Sequence, residues 1–571
     1  MPSYPPIFAS FHQSLSRLLH IPYGDQSDDL ASIIVRRVEH FLHNHEPKSF
    51  DAWSEQDIYL ITYGDSLTEH GKPPLKVLSE FLGRHIRQLI STVHILPYFP
   101  YSSDDGFSII DYLQVNPALG DWNNVRAIAE RYRLMTDLVI NHVSRESLWF
   151  ADFVSGIQPG RDYFIEEDPS TDLTMVTRPR NSPLLVPTQT RRGTRHVWAT
   201  FSEDQIDLNF KNPDVLINMV DIVLFYLARG TSVVRLDAIA FLWKKLNTAC
   251  VHLPETHAMV KVMRLIIEQV RPGALLITET NVPDPENFSY FARGDEAHLV
   301  YQFALPPLIL HALNRGTEKY LTHWARALPE YPEGCTTLNF TASHDGIGLR
   351  PLEGLVPDSE VAELVDSMHR FGGFVSMRTL QDQSEKPYEI NISLFDAMKG
   401  TRRGEDHWQA QRFLCSQIIM LGMKGIPAIY IHSLLATPND IVGVERSGRT
   451  RSINRRKWDI EELRTELENP VSMQSMVFKT LKTIIGIRRK ERCFHPDCPQ
   501  QIIDIAPGIL AFSRTEPKTG RSLVAIHNLT ATHLDINAKK YQGRLDLLSG
   551  KTFTSEHLKP YQTLWLVSGT R

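Results

Sequence analysis

Between Asp57 and Ser433, short apolar, β-branched runs recur, each followed by turn residues. Most are separated by stretches in which apolar positions return every three or four residues. Eight runs predict strands: Asp57–Asp65, Ser91–Pro100, Arg133–His142, Gly230–Ile239, Ala274–Thr280, His298–Phe303, Thr336–Asp345 and Gly425–Ser433. Helices are predicted over Leu75–Ile90, where Leu78, Phe81, Leu82, His85, Ile86 and Leu89 share a face, and over Leu216–Arg229 and Lys261–Arg271. Strands alternating with helices imply a parallel sheet, and eight of them imply an α/β fold closed as a (β/α)8 TIM barrel.

The rhythm breaks in four places. Residues 1–56 read as a helical extension, with Phe11, Leu15, Leu18 and Leu19 on one face and a second helix over Leu30–Leu42. Residues 142–213 and 346–408 are too long for simple connections and read as inserted subdomains overhanging one rim. The barrel then occupies 57–141, 214–345 and 409–490. From 491 to 571 the pattern becomes short alternating runs, Ile509-Leu-Ala-Phe-Ser and Thr563-Leu-Trp-Leu-Val among them, which predict a C-terminal antiparallel β domain. The longest apolar stretch, Phe413 to Ala436, is interrupted by Lys424, Gly425 and Pro427, and predicts a buried helix followed by a strand instead of a membrane span.

Composition narrows the function classes. A formal net charge of -5 over 571 residues gives no electrostatic case for a nucleic-acid partner. Met1-Pro-Ser-Tyr-Pro-Pro lacks the basic start and apolar core of a secretory leader, and five cysteines form neither a metal cluster nor an even disulfide set. A cytoplasmic setting without a membrane partner is expected. No metal site and no organic cofactor are expected, because no acidic loop is built for calcium and no lysine motif calls for pyridoxal phosphate.

Three segments carry acids at the ends of predicted strands: Arg235-Leu236-Asp237, Thr278-Glu279-Thr280 and Ser343-His344-Asp345. Acids delivered to one rim of a barrel by several strands point to chemistry there, and a pair of carboxylates facing one bond suits glycosidic cleavage or transfer. A structural Arg–Asp pair is the plain alternative for Arg235 and Asp237, and a turn or capping glutamate for Glu279.

With those segments, Thr92-Val-His-Ile-Leu-Pro, Asp137-Leu-Val-Ile-Asn-His-Val-Ser, Val234-Arg-Leu-Asp-Ala and Phe303-Ala-Leu-Pro-Pro-Leu, the chain resembles the α-amylase superfamily, glycoside hydrolase family 13, and within it the sucrose phosphorylase subfamily. The resemblance implies a retaining α-glucosyl transfer with Asp237 as nucleophile, Glu279 as general acid/base and Asp345 as transition-state stabiliser. It also implies that His142, His344 and Arg235 serve the glucose site, that Asp104 and Arg455 clamp across its far end, and that Phe107 and Phe201 give the ring an apolar platform. Simple core packing is the plain alternative for Phe201. Arg178 and Arg180, in Thr177-Arg-Pro-Arg, resemble a phosphate-binding segment, so that inorganic phosphate would be a co-substrate; a solvated surface loop is the plain alternative.

The acceptor side departs from sucrose phosphorylases. Position 241 is Phe where those enzymes carry Tyr, and Phe374-Val-Ser-Met-Arg-Thr-Leu-Gln-Asp-Gln lacks their small-residue loop. The loop Ala436–Arg451 and the N-terminal extension resemble the glucosylglycerate phosphorylases of the subfamily. Arg378, Arg449 and Arg451 are candidates for a charged acceptor. The expected reaction converts 2-O-α-glucosylglycerate and phosphate into α-glucose 1-phosphate and glycerate, with small-molecule glucoside and phosphate as partners. Sucrose, glucosylglycerol or sucrose 6'-phosphate as substrate, a hydrolase, and a non-catalytic amylase-fold binding protein are the alternatives. The oligomeric state is open, a homodimer being one option.

Overall fold

The computed structural model describes residues 6–46, 48–51, 53–180, 182–379, 385–536, 539–555 and 557–568. Eight parallel strands close a barrel: β1 (Tyr59–Thr62), β2 (Thr92–Ile95), β3 (Arg133–Val139), β4 (Thr231–Asp237), β5 (Leu275–Thr278), β6 (Leu299–Tyr301), β7 (Thr336–Asn339) and β8 (Ile426–Tyr430). Closure is direct, with β8 back on β1 through Tyr59 opposite Ala428. All eight lie inside the runs the apolar pattern picks out. They are buried almost throughout because helices cover the outer face and side chains fill the interior.

Two runs end differently from the expectation. The third breaks after Val139, and His142–Ser144 leaves the barrel to pair antiparallel with Gln205–Asp207 of the first insertion. In the seventh, β7 stops at Asn339, so Asp345 stands on a loop, where Ser343 Oγ accepts from its backbone N–H at 3.2 Å. A side-chain acceptor for a backbone donor lets the chain turn without a ladder partner.

Helices also shift at their ends. The predicted Leu75–Ile90 helix is α1 here (Pro74–His85), and the next two are α2 (Pro213–Ala228) and α3 (Pro254–Val270). Each starts with a proline at its first turn, where the missing N–H costs nothing. The stretch from 409 to 430 forms a buried helix, Gln409–Gly422, running into β8.

At the N-terminus two helices, Pro6–Tyr23 and Ser27–Asn44, form a hairpin against the outside of α2 and α3. Phe11, Leu15 and Leu19 are buried there, and Leu18 is partly buried against the same core. Tyr23 Oη donates to Phe210 O at 2.8 Å, Arg271 Nη1 to Glu46 O at 2.6 Å, and Arg37 pairs with Asp221 at 3.0 Å. The hairpin therefore braces the barrel wall.

The first insertion contributes helix Leu148–Ser155 and the hairpin Leu185–Thr190/Gly193–Trp198. The second contributes a three-stranded antiparallel sheet ordered Ile347–Gly348, Glu385–Asn391, Phe374–Thr379. Residues 380–383 of the quoted acceptor stretch lie outside the described residues. At the C-terminus a six-stranded antiparallel sheet packs on the barrel; a Cβ added at Gly422 would fall 3.2 Å from the Phe512 ring, so the glycine permits that close approach. Among the described residues no helix is long and apolar enough to cross a membrane.

Candidate active site

A narrow pocket of about 110 Å³ opens at the C-terminal rim of the barrel. Asp237, Glu279 and Asp345 all line it, as do Asp104, Phe107, His142, Phe201, Arg235 and His344. Strand register brings Asp237 and Glu279 together. Asp137 of β3 stands opposite Arg235 of β4, and Glu279, one residue past β5, donates its backbone N–H to Leu236 O at 3.1 Å.

Arg235 is the hub of this side. Its guanidinium is buried at 3% exposure, pairs closely with Asp137, and donates to Asp237 Oδ1 at 2.7 Å. Its Nη2 lies 3.9 Å from Glu279 Oε2. Asp137 is fixed on its other side by His94 Nε2 at 2.6 Å. Glu279 Oε2 also accepts from Ala238 N at 3.0 Å, and Ala238 has φ +50°, a left-handed conformation rare for a residue with a side chain. Strain sits one residue past the candidate nucleophile.

Burial, which disfavours charge, pushes Asp237 and Glu279 both up to about 7. Two buried acids that face the same guanidinium titrate as a pair. The short hydrogen bond from Arg235 favours the ionised form at Asp237, so the first proton taken up resides on Glu279. Asp345 is held far below the ordinary carboxylate range, against the desolvation of its burial, chiefly by Arg451, whose Nη1 donates to it at 2.6 Å. Burial drives the His344 imidazole down to about 3, so it is neutral, and its ring stacks on Phe107 with centroids 5.0 Å apart. His142 is likewise pulled below its usual value by burial; its Nε2–H donates to Phe107 O at 2.9 Å, which fixes the tautomer.

Behind His142 lies a buried polar cluster. Lys244 Nζ donates to Asn141 Oδ1 at 2.7 Å and to Phe241 O at 2.5 Å, and pairs closely with Asp207. Asp207 accepts in addition from Thr200 N at 2.8 Å and Thr200 Oγ1 at 2.6 Å. One ammonium thus joins the end of β3 to the first insertion. Phe201 packs between His142, at 5.2 Å, and Phe241, at 5.4 Å, while still facing the pocket.

Asp104 and Arg455, the expected glucose clamp, do not meet each other directly. Arg455 Nη1 pairs with Asp105 at 2.5 Å and its Nε donates to His344 O at 2.8 Å; Asp104 instead accepts from Gln205 Nε2 at 3.3 Å. Asp104 and Asp105 both have positive φ, +53° and +48°, and that turn directs the second carboxylate, not the first, to the arginine. Of the five arginine candidates, Arg180 and Arg451 line the pocket. Arg178 is exposed and donates to Ser182 O, Arg378 pairs with Glu353, and Arg449 is half exposed with Asp105 3.7 Å away. Arg180 has no hydrogen-bond or ion-pair partner among the described residues.

Residues not singled out from sequence also matter. Asp137 lies inside a quoted motif and opposite Arg235, so strand register was the signal for it. Gln205, Tyr388 and Glu389 line the pocket from the insertions and carry no local signal.

A buried carboxylate pair on a parallel eight-stranded barrel, with arginines on a second wall, defines a glycosyl-transferring enzyme of the amylase architecture. Residues 85–346 match the α-amylase catalytic domain family. The chain is 42% identical over 518 residues, 90% of its own length and 92% of the relative's, to the glucosylglycerate phosphorylase of Escherichia coli K12. It is 40% identical to that of Allomeiothermus silvanus, spanning 97% and 98% of the two chains. The crystal structure of sucrose 6F-phosphate phosphorylase from Thermoanaerobacter thermosaccharolyticum superposes with a TM-score of 0.73 at 24% identity, covering 88% of this chain and 98% of that one, and shows the shared fold. The chain belongs to the glucosylglycerate phosphorylases, in the sucrose phosphorylase subfamily of glycoside hydrolase family 13.

Proposed function

We propose that this protein is a retaining glycoside phosphorylase that converts 2-O-α-glucosylglycerate and inorganic phosphate into α-glucose 1-phosphate and glycerate. The likeness to phosphorylases of that name over nearly the whole chain supports the substrates. One observation carries the mechanism: Arg235 donates to Asp237 Oδ1 at 2.7 Å, which favours its ionised form, and stands 3.9 Å from Glu279, where burial favours the protonated form.

In the first step Asp237 attacks the anomeric carbon and Glu279 protonates the departing glycerate oxygen, leaving a β-glucosyl ester on Asp237. In the second, a phosphate oxygen attacks the same carbon, Glu279 takes the proton from the phosphate, and Asp237 leaves as a carboxylate. Two inversions give net retention. Asp345, ionised and joined to Arg451, stabilises the positive charge that develops at the sugar ring. His142, His344 and Phe107 position the glucose. Arg180, with no hydrogen-bond or ion-pair partner among the described residues, receives phosphate, because a planar guanidinium suits a multidentate anion. A reducing, cytoplasmic compartment belongs to the same proposal, and the five cysteines are all buried and free.

Incubation of the purified protein with glucosylglycerate, glucosylglycerol, sucrose or sucrose 6'-phosphate, each with phosphate, tests the reading. Release of glucose 1-phosphate from glucosylglycerate, at a kcat/KM well above the others, is expected. Turnover of sucrose with none of glucosylglycerate would refute it.

A further inference from the structure

The pocket holds a fourth and a fifth carboxylate besides Asp237, Glu279 and Asp345: Asp104 and Glu389. Glu389 is 2% exposed, on the strand Glu385–Asn391 of the second insertion. It accepts from Arg451 Nε at 2.9 Å and from Arg451 Nη2 at 2.5 Å, a bidentate pair, while Arg451 Nη1 serves Asp345. Arg451 comes from the short helical turn Thr450–Asn454, after β8, so one guanidinium ties three separate chain segments together. The fit is close: a Cβ added at Gly346 would fall 2.5 Å from Glu389 Cγ and 2.6 Å from its Oε1, so a glycine makes room for this carboxylate.

The charge arrangement has a consequence. Arg235 is committed to Asp137 and Asp237, Arg451 to Asp345 and Glu389, and among the described residues only Arg180 faces the pocket as an arginine without a carboxylate partner. A reversible phosphorylase must bind and release two anionic ligands at this wall, and full exposure of both arginines would hold them too long. We propose that Glu389 is a specificity-determining residue that acts through Arg451: by occupying the guanidinium and adding a negative charge, it sets how tightly the site holds phosphate and a carboxylate-bearing acceptor. Glu389 is not a catalytic residue in this scheme, and the proposal rests on the phosphorylase reading above. Neutralising it weakens repulsion of anions and frees one edge of Arg451; shortening it to aspartate keeps the charge.

The test is phosphate binding, measured by calorimetry on the full-length protein without acceptor, for wild type, Glu389→Gln and Glu389→Asp. Glu389→Gln is expected to bind phosphate about tenfold more tightly, and Glu389→Asp within about threefold of wild type. In the synthetic direction, Glu389→Gln should lower KM for glycerate and leave KM for glycerol, which lacks the carboxylate, unchanged. Unchanged or weaker phosphate binding by Glu389→Gln would overturn the proposal. If that variant does not fold, Arg451→Gln takes its place: it leaves Glu389 uncompensated, and phosphate affinity should fall about tenfold or more; an unchanged affinity overturns the proposal equally. Failure of the wild type to act on glucosylglycerate would refute the substrate assignment and leave the binding comparison readable on its own.

Discussion

The two walls of the pocket are built by different means. On the glucose side, Asp137, Arg235, Asp237 and Glu279 stand on or one residue beyond adjacent parallel strands, and register alone fixes their spacing. On the opposite side, Arg180, Tyr388, Glu389 and Arg451 come from insertions and a late loop, and the ion pair between Arg451 and Glu389 ties two of those segments together. A strand cannot slip by one residue without turning its whole face, so the first wall tolerates little change. Loops joined by ion pairs can be re-aimed by single substitutions. The comparison teaches that the bond-breaking chemistry is anchored in the barrel, whereas the choice of partner is carried by parts the barrel only supports.

The sharpest way to break that division is on the strand side. Asp237→Asn should cost about 10⁴-fold or more in kcat, since it removes the covalent step, and steady-state rates of glucose 1-phosphate release check it. Glu279→Gln should cost about 10²- to 10⁴-fold, with much of the loss restored for α-glucosyl fluoride, whose leaving group needs no proton. The pH profile follows the same pair. Activity should fall above about pH 7 as Glu279 loses its proton, and that alkaline limb should flatten in Glu279→Gln assayed on the fluoride.

A smaller effect is expected at the seam between the walls. Lys244→Met leaves the buried Asp207 carboxylate without its cation and should destabilise the protein by about 3–5 kcal/mol, read by urea unfolding. On the loop side, Arg180→Ala should raise KM for phosphate by about 10- to 100-fold while changing release of glucose to water little, since a charge-assisted contact is worth about 1.5–3 kcal/mol.

The smallest effect concerns stability against pH. His344, His432 and His527 are buried and driven down to about 3 from an unfolded value of 6.5. The unfolded chain therefore binds more protons between those values. Their contribution to stability is present above pH 6.5 and is lost progressively as pH falls toward 3. Melting temperatures from pH 7 to 4 should decline, and substituting His527, distant from the pocket in the C-terminal sheet, by an apolar residue of similar size should soften the decline.

How much of this was legible in the chain also follows the division. The eight strands were, because parallel strands buried on both faces leave continuous apolar runs. Asp237 and Glu279 were, because each closes such a run. Asp345 was placed on a strand it does not occupy, since the residues after Asn339 continue the apolar run while the backbone has already turned. The ion pair of Arg455 with Asp105 was not legible, because two consecutive aspartates in a left-handed turn are indistinguishable in sequence. Glu389 meeting Arg451 across 62 positions leaves no periodic trace at all. The family resemblance supplied the loop-side candidates, and only the folded chain separates Arg180 and Arg451 from Arg178, Arg378 and Arg449.

The central claim is that a glucosyl unit passes through Asp237 to phosphate. Proton and phosphorus NMR of the products formed from glucosylglycerate and phosphate test it most directly. The account predicts α-glucose 1-phosphate as the first-formed product, with its formation dependent on phosphate and abolished in Asp237→Asn. First-formed β-glucose 1-phosphate, or free glucose released at one rate with and without phosphate, would contradict it.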